Sequence, residues 1–461
     1  MKPAGALRRA ASAVPELPRV RFELANGARL VVSPRAGAPV FAAQLHLRGG
    51  HSLDPAGREG TANLAGALVD QGTAKRDEEA IAALLEPAGG HLSGDATGVA
   101  GMIAAADWRL LLDLLCEAAT QPSYPAARVA LQRARLLDRL RLDREDPRTQ
   151  AVWLFRRLVY GNQWLGRPDH GSVESVEQIR RAHLAAFHKR HWCASRALLA
   201  VCGDVDPKEI QRHVKKRLGG WKRGKDLGPR PFDPPPLGAR CAAYTADRQQ
   251  VHVYLGHMGI RRGDPDYPAL VVLDHVLGSG PGFTSRVTRR LRDELGLAYS
   301  VHASIASSAG VLPGTFSAYI GTSPKHVGTA LAGFLEEIRR IRDELVQADE
   351  LELARDYLLG SFALGFERAS RRAQYTIFAE RNELGDKHLQ ELCDAFAAVS
   401  REDLRRVARA HLHPEEACVA AAGPIKAAEL ERLVASALGA RPRVARGRGR
   451  AAARPRRAPR G

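Results

Sequence analysis

The sequence predicts an α+β protein made of two similar domains, each a β-sheet covered by helices. Three observations predict this fold. A proline-rich segment lies near the middle of the 461 residues, stretches on either side of it match when shifted by 220 positions, and both halves alternate short apolar runs with long amphipathic ones. A chain of this length also exceeds the size of one ordinary core.

The boundary between the halves is marked by five prolines between Gly228 and Leu237. Proline removes a backbone donor and fixes φ, so this density excludes a helix or an interior strand and predicts a linker. The predicted segments are an N-terminal extension (1–18), an N-terminal domain (19–224), the linker (225–238), a C-terminal domain (239–440) and a disordered basic tail (441–461).

The halves match best between residues 184–210 and 404–430. Both copies predict an amphipathic helix, a short apolar strand, a glycine turn and a second helix, with the strands at Ala197–Cys202 and Ala417–Ala422. The identical pairs are Leu184/Leu404, His191/His411, Ala197/Ala417, Ala200/Ala420, Gly203/Gly423 and Glu209/Glu429. Strand-like runs in Arg21–Leu47 and Val251–Leu255 precede predicted helices at Thr61–Asp70 and Tyr267–Leu277, and long helices are predicted at Ala126–Arg144, Pro324–Glu344 and Ala348–Phe362.

Charge and cysteine content exclude several classes of protein. Nine arginines and no acidic residue lie in residues 441–461, which supply half of the net charge of +18. This tail has no stacking aromatics, so it predicts at most loose electrostatic adhesion to nucleic acid. The six cysteines form no Cys-x-x-Cys pair and are expected to be buried free thiols. No apolar run is long enough to span a membrane and no signal peptide is evident, which favours a cytoplasmic location.

The stretch from Leu47 to Thr73 carries the most informative motif of the first half. A Gly-rich strand end leads through an acidic loop into a predicted helix that closes with Gly72-Thr73. This stretch resembles the signature of the insulinase/pitrilysin family of zinc peptidases, of the mitochondrial-processing-peptidase-like type. In active members of that family the helix bears His-x-x-Glu-His, where two histidines share a zinc ion and the glutamate activates the zinc-bound water.

Alignment on this frame places Asn63, Gly66 and Ala67 where the family has its two histidines and its glutamate. A neutral amide is a poor zinc ligand, alanine has no donor atom, and glycine cannot act as a base. The family's further acidic ligand maps to Asp138 and Arg139, and arginine would repel a metal. The resemblance therefore implies a degenerate zinc motif, with no catalytic or metal-binding residue in this chain.

Three other histidine pairs are candidate metal sites: His188 with His191, His411 with His413, and His46 with His51. No cysteine or carboxylate stands at a useful spacing beside the first pair, so surface or interface histidines are the favoured interpretation. We expect no cofactor on this chain.

The second half resembles the family's C-terminal signature more closely. A Gly-rich turn, Gly278–Gly282, is followed by Ser285-Arg286, a predicted helix and the run Gly-Leu-Ala-Tyr-Ser-Val that ends at Val301. In the family an arginine and a tyrosine of this stretch bind substrate across the zinc site, and they map onto Arg292 and Tyr299. Both side chains can donate hydrogen bonds to a peptide carbonyl or to the oxyanion that forms from it.

The resemblance implies two domains of the LuxS/processing-peptidase-like type and a function without independent catalysis. The prediction is a non-catalytic, peptide-substrate-binding subunit of a heterodimeric zinc metalloendopeptidase, inactive alone. Its expected partners are a zinc-bearing subunit of the same family, which would hold the zinc, and an extended peptide. A scaffold homologue without a proteolytic role is the alternative, and nucleic-acid adhesion through the tail is the third possibility.

Overall fold

The fold was analysed in a computed structural model that describes residues 16–226, 228, 230–236, 238–280, 284–439 and 443–444. Two six-stranded mixed sheets organise the chain. The strands are β1 Val20–Glu23, β2 Arg29–Pro34, β3 Val40–Leu47, β4 His91–Asp95, β5 Gly98–Ala104, β6 Ala197–Gly203, β7 Arg240–Thr245, β8 Val251–Met258, β9 Val301–Ser304, β10 Thr315–Thr322, β11 Cys418–Gly423 and β12 Arg443–Val444.

Five of the six strands in each sheet correspond in order and direction, which confirms the predicted pair of sheet-plus-helices domains; the edge strands differ, since β1 is antiparallel to β2 and β12 is parallel to β7. Their strand orders are β1-β2-β6-β3-β5-β4 and β12-β7-β11-β8-β10-β9. In each sheet the central strand lies parallel to one neighbour and antiparallel to the other, with β2∥β6 and β7∥β11 as the parallel pairs. The shift of 220 positions read from the sequence pairs β6 with β11, so the repeat corresponds to the centre of each sheet.

The helices include the predicted periodic segments and several that the sequence did not predict. They are α1 Thr61–Gly66, α2 Glu78–Leu85, α3 Trp108–Thr120, α4 Ala126–Glu145, α5 Pro147–Tyr160, α6 Val173–Glu177, α7 Arg181–His191, α8 Pro207–Leu218, α9 Tyr267–Asp274, α10 Arg286–Thr288, α11 Val327–Asp343, α12 Ala348–Gly365, α13 Ala369–Arg381, α14 His388–Ala398, α15 Arg401–His411 and α16 Ala427–Leu438. One boundary was wrong: the helix predicted at Thr61–Asp70 ends at Gly66, and turns follow it.

Each half lends one helix to the sheet of the other half. Helix α5 packs its Phe155 against Tyr254 of β8, with ring centroids 5.8 Å apart. Helix α13 packs Ala373 and Ile377 against strands β3, β6 and β2 of the first sheet. The chain passes from the first sheet to the second near the linker. The two halves are nevertheless not separate in space, because one face of each sheet is covered by a helix from the other half.

Two large apolar cores occupy the other faces of the sheets. The six cysteines are buried and unpaired, as predicted. Among the described residues, no helix is long and apolar enough to cross a membrane. Of the predicted basic tail, the structure describes only Arg443–Val444, which pair with β7; the rest, like residues 281–283 of the Gly-rich turn, lies outside the described residues.

Candidate functional site

The helix that aligns with the zinc motif is held at its start by Asp54. The two carboxylate oxygens of Asp54 accept hydrogen bonds from the backbone N–H groups of Gly60 and Ala62, each at 2.7 Å. A carboxylate here satisfies donors at the helix N-terminus and complements its dipole. Burial raises the pKa of Asp54 to about 6, although the two backbone bonds oppose that rise.

Asn63 and Ala67 lie one turn apart and are both half-buried, whereas Gly66 is buried. A Cβ atom added at Gly66 would lie 1.8 Å from the carbonyl oxygen of Asp95 in β4, and one added at Gly94 would lie 2.2 Å from the carbonyl oxygen of Gly66. The backbones of α1 and β4 thus touch through two glycines. Since β4 fills the space that a side chain at position 66 would need, these residues do not fit a zinc site.

Asp138 and Arg139, which align with the family's further acidic ligand, are exposed to solvent. Both lie on α4, where Asp138 is paired with Arg141 at 2.8 Å and Arg139 with Asp143 at 3.1 Å. The side chains of Asp138 and Arg139 are 70% and 72% exposed. Their partners are on their own helix, so they act as ordinary solvent-exposed ion pairs of the kind that contribute little to stability.

The pair His188 and His191 is buried, so the prediction of surface histidines is wrong for it, and both members have structural partners. His188 bonds through Nε2 to the carbonyl oxygen of Ala119 at 3.0 Å, and His191 lies 3.4 Å from Arg196. Burial lowers the pKa of both imidazoles to about 4.

One group among the described residues brings three possible ligand atoms within 4.8 Å of one another: Asp264, Asp266 and His411. Asp266 already accepts hydrogen bonds from Arg406 and His411, each at 2.8 Å. This group joins α9 to α15 and includes no residue aligned with the zinc motif.

Arg292 and Tyr299, predicted from the second-half motif, lie beside each other. The guanidinium carbon of Arg292 is 5.5 Å from the centroid of the Tyr299 ring, and its Nε is 3.6 Å from a carboxylate oxygen of Asp293. Tyr299 is 87% exposed, the largest exposure of the described large hydrophobic or aromatic residues. A tyrosine in this position presents its hydroxyl and its ring to solvent rather than to the core.

The loop that carries Tyr299 is fixed by its neighbours. Gly296 has φ +61°, which L-residues other than glycine rarely adopt, and allows the chain to turn after the helical segment Arg289–Glu294. Leu297 is buried, and its carbonyl oxygen accepts a hydrogen bond from Thr322 Oγ1 at 2.8 Å. The loop is therefore anchored at Leu297 before the exposed tyrosine, and at Val301 after it, which pairs with Ile320 of β10.

Two buried carboxylates fix the elements around this loop. Arg286, at the start of α10, makes a bidentate pair with Glu350 of α12 at 3.0 and 2.7 Å. Asp274 accepts hydrogen bonds from Ser304 Oγ at 2.5 Å and from two backbone N–H groups that follow β9 at 2.8 and 2.9 Å. Burial raises the pKa of Asp274 to about 6.

Sequence reasoning missed a polar and aromatic patch beside β9. The hydroxyl of Tyr319 in β10 shares a hydrogen bond of 2.9 Å with His252 Nδ1. The centroid of its ring lies 5.1 Å from that of the His302 ring and 4.5 Å from the guanidinium carbon of Arg148. Burial lowers the pKa of both histidines. The four residues are up to 171 positions apart in the chain, so no local pattern could have indicated the patch.

Comparison with known proteins shows what this chain is similar to. A family model described as the peptidase M16 inactive domain matches residues 178–358. An uncharacterized zinc protease of Streptomyces coelicolor is 26% identical over 90% of this chain and 91% of its own length. An uncharacterized zinc protease of Bacillus subtilis is 22% identical over 88% of this chain and 98% of its own length.

Solved structures share the fold over nearly the whole chain. A peptidase M16 inactive domain from Pseudomonas fluorescens has a TM-score of 0.82 at 22% identity, covering 89% of this chain and 99% of its own. A chain of complex III from Candida albicans has a TM-score of 0.74 at 15% identity, covering 91% and 99%. The chain therefore carries a peptidase M16 inactive domain and is a homologue of proteins named as zinc proteases, consistent with an insulinase-family member that lacks the active motif.

Proposed function

We propose that this chain is the non-catalytic, peptide-binding subunit of a heterodimeric zinc metalloendopeptidase. The observation that carries the proposal is the contrast between two motifs of one chain. The backbone of β4 packs directly against the helix that aligns with the zinc motif, whereas Tyr299 is 87% exposed with Arg292 beside it. Peptide binding requires side chains that are exposed and held in place, as this pair is, whereas a chain that does not bind peptide has no such requirement.

The chemistry of the pair suits a peptide. A phenol hydroxyl and a guanidinium can both donate hydrogen bonds to a peptide carbonyl, and more strongly to the oxyanion that forms when that carbonyl is attacked. The cation–π contact with Tyr299 restricts the guanidinium of Arg292 before a ligand arrives, which lowers the entropic cost of binding.

The neighbouring strand supports an extended ligand. Strand β9 is at the edge of the second sheet and pairs with β10 among the described strands. An edge strand presents backbone N–H and C=O groups to which an extended peptide can pair. Tyr299 lies two residues before β9, so one peptide could pair with this edge and reach the tyrosine.

The metal and the water activation would come from a partner subunit of the same family. This chain would supply donors to the substrate and no ligand to the zinc, since Asn63, Gly66 and Ala67 offer none that fits. Neither subunit would then cleave peptides without the other.

A scaffold role is the second candidate. The likeness to a chain of complex III from Candida albicans supports it at the level of fold, because the fold also occurs in an assembly of that name. A scaffold does not need an exposed tyrosine with an arginine over its ring. Nucleic-acid adhesion by residues 441–461 is a third candidate, and a salt titration of binding with and without this segment would detect it.

Direct peptide binding tests the proposal. A fluorescent unstructured peptide should bind the purified chain, and Tyr299→Phe should weaken binding by about threefold to tenfold, since it removes one hydrogen bond. Fluorescence anisotropy measures this directly. Tyr357→Phe is the matched control: Tyr357 is an exposed tyrosine of the same half, on α12, and this change should leave binding unaltered. No binding by the wild-type chain, or equal binding by Tyr299→Phe, would favour the scaffold.

A further inference from the structure

A cluster of basic groups between the first sheet and α13 is not used by the proposed function. Along β3 the side chains of Ala42 and His46 face α13, while Leu45 and Leu47 face the core. Along α13 the contacting residues are Ala373, which packs near Ala42, and Ile377, which packs on Leu198.

The same register brings Arg381 towards His46. His46 pairs across the sheet with Leu198, and Leu198 contacts Ile377, which lies one helical turn before Arg381. The apolar contact between helix and sheet thus ends at Ile377, and the next turn of α13 carries a guanidinium over the end of β3. Arg48 follows β3 directly.

Hydrogen-bonding groups in this cluster lack partners. His46 is 4% exposed and its Nε2 has no hydrogen-bond partner, and the buried Nε of Arg48 has none either. Native proteins satisfy nearly all buried polar groups, so two orphaned nitrogens in one place point to a missing acceptor. Of the described residues, none forms a hydrogen bond or ion pair with the side chain of Arg381.

The charges around the cluster are mostly positive. The pKa of His46 is lowered to about 3. Burial is the largest cause, and the positive charges of Arg381, Arg48 and Arg29 act in the same direction. Burial lowers the pKa of Arg381, and Arg48 lowers it further. The carboxylate that compensates Arg48 is Asp226, which bonds to Nη2 and leaves Nε unused.

One member of the cluster, Arg381, reaches solvent. This residue is exposed overall, although enough protein surrounds its guanidinium to lower its pKa, and it lines two adjoining grooves of about 680 and 460 Å³. The larger groove also contains Arg261, and the smaller contains Arg156. A small ligand can therefore reach the guanidinium without opening the core.

The second half provides an internal comparison. Strand β8 corresponds to β3, and its register with β11 places Gly256 where β3 has His46 and Met258 where the chain after β3 has Arg48. Neither Gly256 nor Met258 offers a side-chain nitrogen. The basic cluster is thus a feature of the first half rather than a general consequence of the fold.

From these observations we infer that His46, Arg48 and Arg381 form a binding site for a small oxyanion, either phosphate or a free carboxylate. An oxyanion accepts hydrogen bonds from several donors at once, and a planar guanidinium presents paired N–H groups to it. It would satisfy the two orphaned nitrogens and the unpaired charge of Arg381. The site is separate from Arg292 and Tyr299 and does not depend on the proposed peptide-binding role.

Calorimetric titration of the full chain with inorganic phosphate tests the inference, at constant ionic strength set by chloride. One phosphate per chain should bind, and Arg381→Gln should weaken binding by about tenfold or more. Arg371→Gln is the matched control, because Arg371 is an exposed arginine on the same helix, and it should bind phosphate as the wild type does. His46→Gln should also weaken binding, which excludes an effect of surface charge alone.

A second arm identifies the source of the oxyanion. A short peptide with a free C-terminal carboxylate is compared with the same peptide amidated at its C-terminus. Loss of binding on amidation, with dependence on Arg381, would assign the site to a carboxylate, and saturable phosphate binding would assign it to phosphate. If neither ligand binds, or if Arg381→Gln binds as well as Arg371→Gln, the inference is wrong.

Discussion

The two halves share five corresponding strands but differ at the places where function is expected. In the first half α1 touches β4 backbone to backbone through Gly66 and Gly94. In the second half the loop before β9 is anchored at Leu297 and exposes Tyr299 to solvent. One position is thus occupied by main chain while the other exposes side chains, so the two halves differ locally within a shared fold.

The first half also contains a half-buried carboxylate, Asp70, for which no ion pair is found among the described residues. Its contacts are its own backbone N–H and the side chain of Gln71 at 3.4 Å. Burial raises its pKa to about 6. By contrast, the pKa of Glu350 in the second half lies below its ordinary value, because its bidentate bonds with Arg286 outweigh the opposing effect of burial.

The largest effect is expected at the contact between α1 and β4. Gly66→Ala should lower the free energy of unfolding by roughly 3 kcal/mol, because the added methyl meets the carbonyl of Asp95 rather than a movable side chain. Chemical denaturation measures this change. Gly360→Ala is the matched control in α12, where nothing lies within 4 Å of the added Cβ, and it should stabilise by about 0.5–1 kcal/mol. Equal effects of the two changes would mean that α1 does not touch β4.

A smaller, pH-dependent effect is expected at Asp70. Its pKa in the folded protein is raised from 3.8 to about 6, so the folded state favours the protonated carboxyl. This stabilisation is complete below about pH 4 and is lost as the pH rises through 6. Asp70→Asn should therefore be more stable than the wild type by on the order of 2 kcal/mol at pH 7.5, with the difference vanishing near pH 4.

Denaturation curves at several pH values measure the Asp70 effect. Asp138→Asn, on an exposed side chain of α4, is the control and should change stability by no more than about 1 kcal/mol. A difference between Asp70→Asn and the wild type that is the same at pH 4 and pH 7.5 would contradict a raised pKa for this half-buried carboxylate.

Much of the fold could be predicted because it depends on local patterns. The strands β6 and β11, the helices α4, α11 and α12, and the buried cysteines follow from apolar periodicity and spacing. The end of α1 was predicted four residues too late, since the pattern of apolar residues continues to Asp70 and does not show that β4 approaches Gly66.

Other features depend on contacts between distant residues and have no local signal. The exchange of α5 and α13 between the sheets joins Phe155 to Tyr254, 99 positions away, and Ala373 to Ala42, 331 positions away. The patch around Tyr319 combines four separate strands and helices. The motif of the second half did indicate Arg292 and Tyr299, and the structure places them together. Their role in substrate binding stays a prediction.

The central claim, that this chain completes the active site of a zinc-bearing partner, is tested most directly by peptide turnover. The partner subunit is mixed one to one with wild-type chain, Tyr299→Phe or Arg292→Lys, and cleavage of a quenched peptide is followed. If each side chain donates to the growing oxyanion, either change should lower turnover by about 10²–10³ while dimer formation is unchanged. Tyr357→Phe and Arg290→Lys are the controls and should keep full activity. Full activity of Tyr299→Phe and Arg292→Lys complexes would contradict the claim and leave this chain a structural partner.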